Sequence, residues 1–371
     1  MSHNVITGDV FSLLEQWAPK SLAYDWDPVG LQVGSYHERV KKIMVTLDVD
    51  NRVIEEAIEQ GVNLIIAHHP LLFKPLQSID IDSPKGQAID ALIRHNITVY
   101  ASHTNLDIAE GGVNDIIADK LGLKDTEVLI HTGSKELYKI VVFVPNDNIA
   151  KVEHAIGDAG GGYIGNYSEC NFKVQGEGTF RPLDESDPFI GEKNALTRVQ
   201  ETRIETIVEE DKINHVIQAI KQAHPYEEVA YDVYPTKNKG YSYGLGRIGK
   251  WPNDHTVSAV IQKVKETLEI SHIRFVGRED KQVKRIAVVG GSGEKFITTA
   301  KDKGADLYIT GDLTYHAAQD AEQMDLAVID AGHYIEHVMK QATVEYLNTH
   351  LAINEIDCIV STIHTDPFSY R

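Results

Sequence analysis

The amino-acid sequence predicts an α/β protein. Two similar halves, at about residues 1–131 and 239–371, form one domain that an α+β insert at 132–238 interrupts. Three observations carry this. In both outer stretches, apolar runs of strand length alternate with segments of helical spacing. In both, strands run out into polar residues able to ligate metal, at the edge where open α/β sheets keep their ligands. In the middle the order changes to β-α-β-β-α-β, the ferredoxin-like pattern.

The first half opens with apolar positions at Val10, Leu13, Leu14 and Trp17, a helical spacing. Residues 25–34 read as a loop entering a short strand, Lys42–Asp48 as a strand and Asn51–Glu59 as a helix. Val62–Ala67 then reads as a short buried strand running directly into His68, His69 and Pro70, where proline forbids simple continuation. Neighbouring strand residues face opposite ways, so the two imidazoles can converge only where the strand ends and the chain turns. A helix is predicted from about Ser83 to His95, with Ser83 as N-cap ahead of Pro84. Ile97–Ala101 is the next strand and ends in Ser102-His103-Thr104-Asn105-Leu106-Asp107; a helix over Val113–Leu121 closes the half.

In the insert, strands are predicted over Leu137–Val144, over Tyr167–Thr179 (as one or two), over Thr197–Val208 and over Glu228–Tyr234. Helices are predicted over Asn146–Gly157 and Asp211–Ala223. Gly240–Gly249, with four glycines, reads as the return linker. The second half then repeats the rhythm. A helix over Val257–Leu268 and a strand over Ile273–Val276 precede the strand Arg285–Val289, which enters Gly290-Gly291-Ser292-Gly293 and a helix reaching Lys303. The strand Asp306–Thr310 ends in Gly311-Asp312. Leu326–Asp330 ends in Ala331-Gly332-His333, which opens a helix holding Glu336 and His337, and Cys358–Val360 is a last strand.

Composition bounds the function. A chain of 371 residues exceeds one ordinary core, and 42% hydrophobic with 25% charged residues is globular usage. No run has the apolar length of a membrane span, the start reads as no signal peptide, and a cytoplasmic protein is the expectation. A formal charge of −19 disfavours nucleic acid as a partner of the bulk surface. Only Cys170 and Cys358 occur, so any metal must be held by histidine and carboxylate.

Those ligands are present. His333 and Glu336 stand three apart at a predicted helix start and project from one face. With His68, His69 and Asp107 they give three imidazoles and two carboxylates, all expected at one edge of one sheet. That donor set suits zinc, with iron, manganese or cobalt as alternatives, rather than calcium. Five ligands, two of them carboxylates able to bridge, could serve two divalent ions per chain.

The motifs His68-His69-Pro70, Ser102-His103-Thr104-Asn105-Leu106-Asp107 and Gly332-His333-Tyr334-Ile335-Glu336 together resemble the Nif-three-like family, whose members carry the label GTP cyclohydrolase I type 2 homologue. Asp27-Pro28-Val29-Gly30-Leu31-Gln32-Val33-Gly34 is similar to that family's N-terminal signature, and the middle segment with His224-Pro225-Tyr226-Glu227-Glu228 to the PII/CutA-like insert of its long bacterial members. The resemblance implies a dinuclear metal site: His68 and His333 on one ion, His69 and Asp107 on the other, Glu336 bridging. It also implies a toroidal homohexamer with its sites facing an internal cavity. In many relatives the bridging glutamate lies four residues after the histidine, a position held here by His337.

Other residues are weighed against plainer roles. The Gly290–Gly293 run follows a strand as a phosphate-binding turn does, yet lacks the G-x-G-x-x-G spacing and the P-loop lysine, so a tight turn is the competing reading. His103, His316 and Asp312 sit where they could orient ligands, or be rim residues; His364 is a further candidate. Three function classes stay open. They are a metal-dependent hydrolase acting on a nucleotide or phosphoester, a metal-binding regulator whose insert senses a ligand or partner, and a ring-shaped nucleic-acid handler that the charge disfavours. No catalytic residue is singled out.

Overall fold

The computed structural model describes residues 5–351 and 356–369. Among these, the chain divides into two compact units, one of residues up to Thr132 together with those from Tyr243 onward, the other Gly133–Ser242.

The first half contributes α1 (Thr7–Trp17), β1 (Gly30–Val33), β2 (Lys42–Thr46), α2 (Asn51–Glu59), β3 (Leu64–Ala67), α3 (Pro84–Arg94), β4 (Thr98–Ala101), α4 (Thr104–Ile108) and α5 (Val113–Leu121). Local chemistry sets the ends: Asp50 caps α2 by accepting from Val53 N, and Ser83 caps α3 by accepting from Gly86 N with Pro84 at the first turn. After β5 (Lys124–Pro145) the second unit adds α6 (Ile149–Asp158), β6 (Asn171–Phe180), β7 (Thr197–Glu209) and α7 (Ile213–Ala223), and β8 (Tyr231–Thr256) leads back. The second half follows with α8 (Val257–Thr267), β9 (Arg274–Val276), β10 (Gln282–Ser292), α9 (Ile297–Asp302), β11 (Leu307–Gly311), α10 (Tyr315–Gln323), β12 (Ala327–Asp330), α11 (Met339–His350) and β13 (Asp357–Val360).

The site-bearing unit holds two sheets rather than the single one expected. One has the order β1-β4-β3-β2-β13; in the other, β10, β11, β12 and β9 follow one another outward from β8. Three parallel strands form the centre of each, with β1 antiparallel to β4 and β9 antiparallel to β12. The halves thus repeat one order. Each sheet is buried on both faces, which is why its strands read as continuous apolar runs rather than alternating ones. Ile43, Val45, Leu64 and Ile66 of the first sheet share a core with Ile286, Val288, Leu307 and Ile309 of the second, joined by residues of α1, α5, α8 and α11. On the outer face of the first sheet, Met44, Ile65 and Val99 pack with α2 and α3 residues. On that of the second, Ala287, Val289 and Tyr308 pack with α9 and α10 residues.

In the other unit the elements run β5, α6, β6, β7, α7, β8 with strand order β6-β7-β5-β8. Val152 and Ile156 of α6 and Val216 and Ile220 of α7 pack on Ile140, Val142 and Ile204 of the strands. Gly240–Gly249 is not a linker: it lies within β8. Its glycines answer close strand approach, since a Cβ on Gly244 would stand 1.9 Å from the Ile130 carbonyl oxygen. No described helix is long and apolar enough to cross a membrane, and both cysteines are free thiols.

Candidate metal centre

The carboxyl ends of strands from both sheets supply the site. β3 ends at His68 and His69, β4 at His103 with Asp107 one turn on in α4, β2 at Asp48, β11 at Asp312, and β12 leads through Gly332 to His333 and Glu336. All five sequence-predicted ligands converge. Glu336 Oε2 lies 3.1 Å from His69 Nε2, 3.2 Å from His333 Nε2 and 3.8 Å from His68 Nε2. Asp107 Oδ1 stands 3.5 Å from His68 Nε2. Two three-residue groups that could hold an ion share Glu336: His68, Asp107, Glu336 and His69, His333, Glu336. A third joins His68, His69 and His103.

Every imidazole is oriented by an acceptor on its Nδ1. His68 donates to the Ser102 carbonyl at 2.9 Å, His69 to Asp48 at 2.7 Å, His103 to Asp27 at 2.9 Å and His333 to Asp312 at 2.6 Å. None of those four oxygens can donate, so each ring carries a proton on Nδ1 and turns Nε2 inward. Sequence reasoning left Asp312 undecided and did not single out Asp48 or Asp27 for this role.

The charges follow from burial and pairing. Burial pushes the His68 ring down to about 3, leaving it neutral with a free lone pair. Burial works against His69 too, but hydrogen bonds to Asp48 and Glu336 hold it up at about 10; those to Glu336 and Asp312 hold His333 at about 9. Burial and the charge of Glu336 push the Asp107 carboxyl well above its usual range. Glu336, buried as well, is held well below its own by His333 and His69. Two imidazolium charges therefore stand around one buried carboxylate.

Three features of the protein fit bound cations there. His68 Nε2 and Asp107 Oδ1 are buried without a hydrogen-bond partner, and they face each other. Gly291 leaves the space the carboxylate needs: a Cβ on it would meet Glu336 Oε1 at 2.3 Å. And the donor set, imidazole plus carboxylate on oriented rings, is that of a transition-metal site. The ligands open on a cavity of about 1160 Å³.

With this geometry in view, comparison with known proteins places the chain. The profile of the family described as Duf34/NIF3 (NGG1p interacting factor 3) matches residues 5–367. The chain belongs to the Duf34/NIF3 family. A relative from Halalkalibacterium halodurans is 46% identical over 97% of this chain and 98% of its own length, and one from Bacillus subtilis is 45% identical over the whole of both. Each bears the name GTP cyclohydrolase 1 type 2 homolog. The crystal structure of a Bacillus cereus protein related to NIF3 superposes with a TM-score of 0.92 at 45% identity, covering 100% of each chain.

Within this NIF3 chain the ligands group differently from the expectation. His68 stands with Asp107 and Glu336, and His69 with His333 and Glu336, whereas the resemblance implies His68 with His333 and His69 with Asp107. His68 Nε2 lies 3.5 Å from Asp107 in α4, while His69, next along and past the end of β3, reaches Glu336 at 3.1 Å. His337 donates from Nε2 to the Leu268 carbonyl, 3.0 Å away, and stacks on Tyr334, so it lies off the site. Gly290–Gly293 forms no free phosphate turn. Gly290, Gly291 and Ser292 belong to β10, and Gly290 N is taken by Asn114. His103 stands in one group with His68 and His69. His316 is exposed beside Gln319, and His364 lies against Tyr334.

Proposed function

We propose that the protein is a dinuclear divalent-metal hydrolase acting on a nucleotide or phosphoester. One observation carries the reading: two ligand groups share the buried Glu336 and open on one cavity. His68, Asp107 and Glu336 would hold one ion, and His69, His333 and Glu336 the other. Zinc suits these donors best. Divalent ions in such a site supply Lewis acidity, polarising a phosphoryl or carbonyl oxygen and lowering the pKa of water.

The chain's own groups set the rest. Asp48, Asp312 and Asp27 fix the rings, so substrate binding need not order them. His103 keeps Nδ1 on Asp27 and faces its other nitrogen to the cavity, where it can hold or pass a proton to a leaving group. A family-typical homohexamer and a ferredoxin-like module over Gly133–Ser242 complete the proposal. A metal-binding regulator is the second reading, favoured by the fact that this separately packed unit contributes none of the candidate ligands.

The test is elemental analysis of protein purified without chelator, followed by a hydrolysis screen over nucleotides and phosphoesters with and without added zinc, manganese or cobalt. About two ions per chain and metal-dependent turnover are expected. Absence of bound metal after reconstitution at neutral pH removes the proposal; two ions with no turnover leaves the regulator.

A further inference from the structure

Two large aromatic rings stand in the same cavity as the candidate ligands. Trp26 is 57% exposed and Phe73 49% exposed, and both line the cavity wall. Their centroids are 5.8 Å apart with planes at 56°, so they form a wedge rather than a closed stack. Tyr24 lies parallel to Trp26 at 5.7 Å and backs it. His103 meets both rings edge-on, 6.3 Å from Trp26 and 6.2 Å from Phe73, and is itself grouped with His68 and His69. The wedge therefore begins one ring's width from the ligand cluster.

Its two arms are fixed in place. Asp27, next to Trp26, accepts from His103 Nδ1 and from Thr104 N, each at 2.9 Å, and Tyr24 N donates to Thr104 Oγ1 at 3.2 Å. Gln32 donates to the Pro28 carbonyl at 2.6 Å and accepts from Leu72 N at 3.0 Å, which ties the Trp26 loop to the segment carrying Phe73. A single exposed aromatic is ordinary on a protein surface. Two held together at the wall of a ligand-lined cavity mark a binding surface.

The charges around the cavity orient its occupant. Seven acidic side chains line it (Asp48, Asp50, Asp107, Asp312, Asp330, Asp366 and Glu336), against Arg274 and Lys295 outside the ligand cluster and His69 and His333 within it. Arg274 is already paired with Asp330. A phosphate is repelled from most of this wall and is accommodated only at the ligand cluster or at Lys295. An uncharged π-face meets no such penalty, and aromatic rings receive it.

We propose that Trp26 and Phe73 form a stacking wedge for the planar heteroaromatic base of a nucleotide, seating the base beside His103 and turning its phosphate to the ligand cluster. The phosphate end rests on the metal-site reading above; the base end does not. The test uses the metal-loaded full chain titrated with AMP, UMP and ribose 5-phosphate by calorimetry, with tryptophan fluorescence alongside. AMP should bind roughly tenfold or more tighter than ribose 5-phosphate, with UMP between them, and should quench fluorescence. Trp26→Leu should lose roughly tenfold in AMP affinity and the quenching, at unchanged metal content and ribose 5-phosphate affinity; Trp26→Phe should retain most of the binding. Phe73→Leu should show a smaller loss of the same selectivity. AMP binding no tighter than ribose 5-phosphate, or Trp26→Leu weakening both equally, overturns the wedge whatever the turnover. Selective AMP binding without hydrolysis keeps the wedge and removes the hydrolase.

Discussion

Glu336→Gln separates the roles of the shared carboxylate most sharply. Glu336 Oε2 accepts from His69 at 3.1 Å and His333 at 3.2 Å, at 3% residue exposure. The rise of His69 from 6.5 to about 10 corresponds to roughly 5 kcal/mol of preference for its charged form. Hydrogen bonds and charge from both Asp48 and Glu336 produce that rise against the effect of burial, so Glu336 holds part of it. His333, with 40% of its side chain exposed, adds less, because solvent screens it. A folded-state pKa raised above the unfolded value gives stability that is complete below pH 6.5 and lost as pH climbs through about 10. The depressed Glu336 is the same interaction seen from its other end, and on that side it is lost in acid. Metal-free Glu336→Gln should therefore be less stable near pH 6, by the roughly 1.5–3 kcal/mol of a hydrogen bond to a charged group, measured by urea unfolding, and the deficit should close toward pH 10. Metal should respond more strongly. A carboxylate can touch two cations and offset their repulsion, whereas the amide brings no charge, so bound metal measured by elemental analysis should fall sharply. His337→Gln disturbs the bond to Leu268 and the stacking on Tyr334, both away from the ligands, and should keep the metal. Loss of metal in His337→Gln with retention in Glu336→Gln would refute the assignment.

Three further outcomes are expected. His68→Ala and His69→Ala should each lose at least one ion yet stay folded; for His68 the orphaned Ser102 carbonyl costs roughly 1–3 kcal/mol, below the total stability of a typical domain, and circular dichroism showing an unfolded chain would make the residue structural. Metal uptake should release protons near pH 7.5, because His69 at about 10 and His333 at about 9 must give theirs up, and affinity should rise with pH; calorimetry in two buffers of different ionisation heat that finds no release counts against the charge state. Replacing Gly133–Ser242 by a short Gly/Ser linker should leave protein that still binds metal, since every candidate ligand lies in the other unit, and loss of metal or aggregation would show dependence on the insert.

The sequence revealed the ligands because each sits where an apolar run stops. Leu64–Ala67 followed by His68-His69-Pro70, and Ala327–Asp330 followed by Gly332-His333, are strand ends visible without a structure. Asp48, Asp27 and Asp312 were harder to see. They are three among 55 acidic residues, and nothing local separates an aspartate that aims an imidazole from one that faces water. Their role exists only once three separate strand ends meet. The two-sheet arrangement was hidden for a related reason: parallel strands buried on both faces carry no mark of which sheet they join. β13, distant from the first half in sequence, pairs with β2 from Lys42 to Val45 and so closes the first sheet. Trp26 and Phe73 gave no signal, because an aromatic in a loop looks the same whether it packs or waits for a ligand.

The offset between His333 and Glu336 follows from the backbone after β12. An α-helix brings both the third and the fourth residue onto one face, so spacing alone left Glu336 and His337 in competition. Residues His333–Val338 form a 3₁₀-helix, and α-helical geometry begins only at Met339. With three residues per turn, position 336 eclipses 333 while 337 is carried a third of a turn away. Glu336 accordingly meets His333 Nε2 at 3.2 Å, and His337 turns to Leu268. The tighter turn also explains why the space left at Gly291 lies against the Glu336 carboxylate. A carboxylate moved to position 337 without lengthening that turn would point toward Leu268, away from His68 and His69; the three-residue spacing and the 3₁₀ segment are therefore one feature, and the four-residue spacing requires an α-helical first turn in its place.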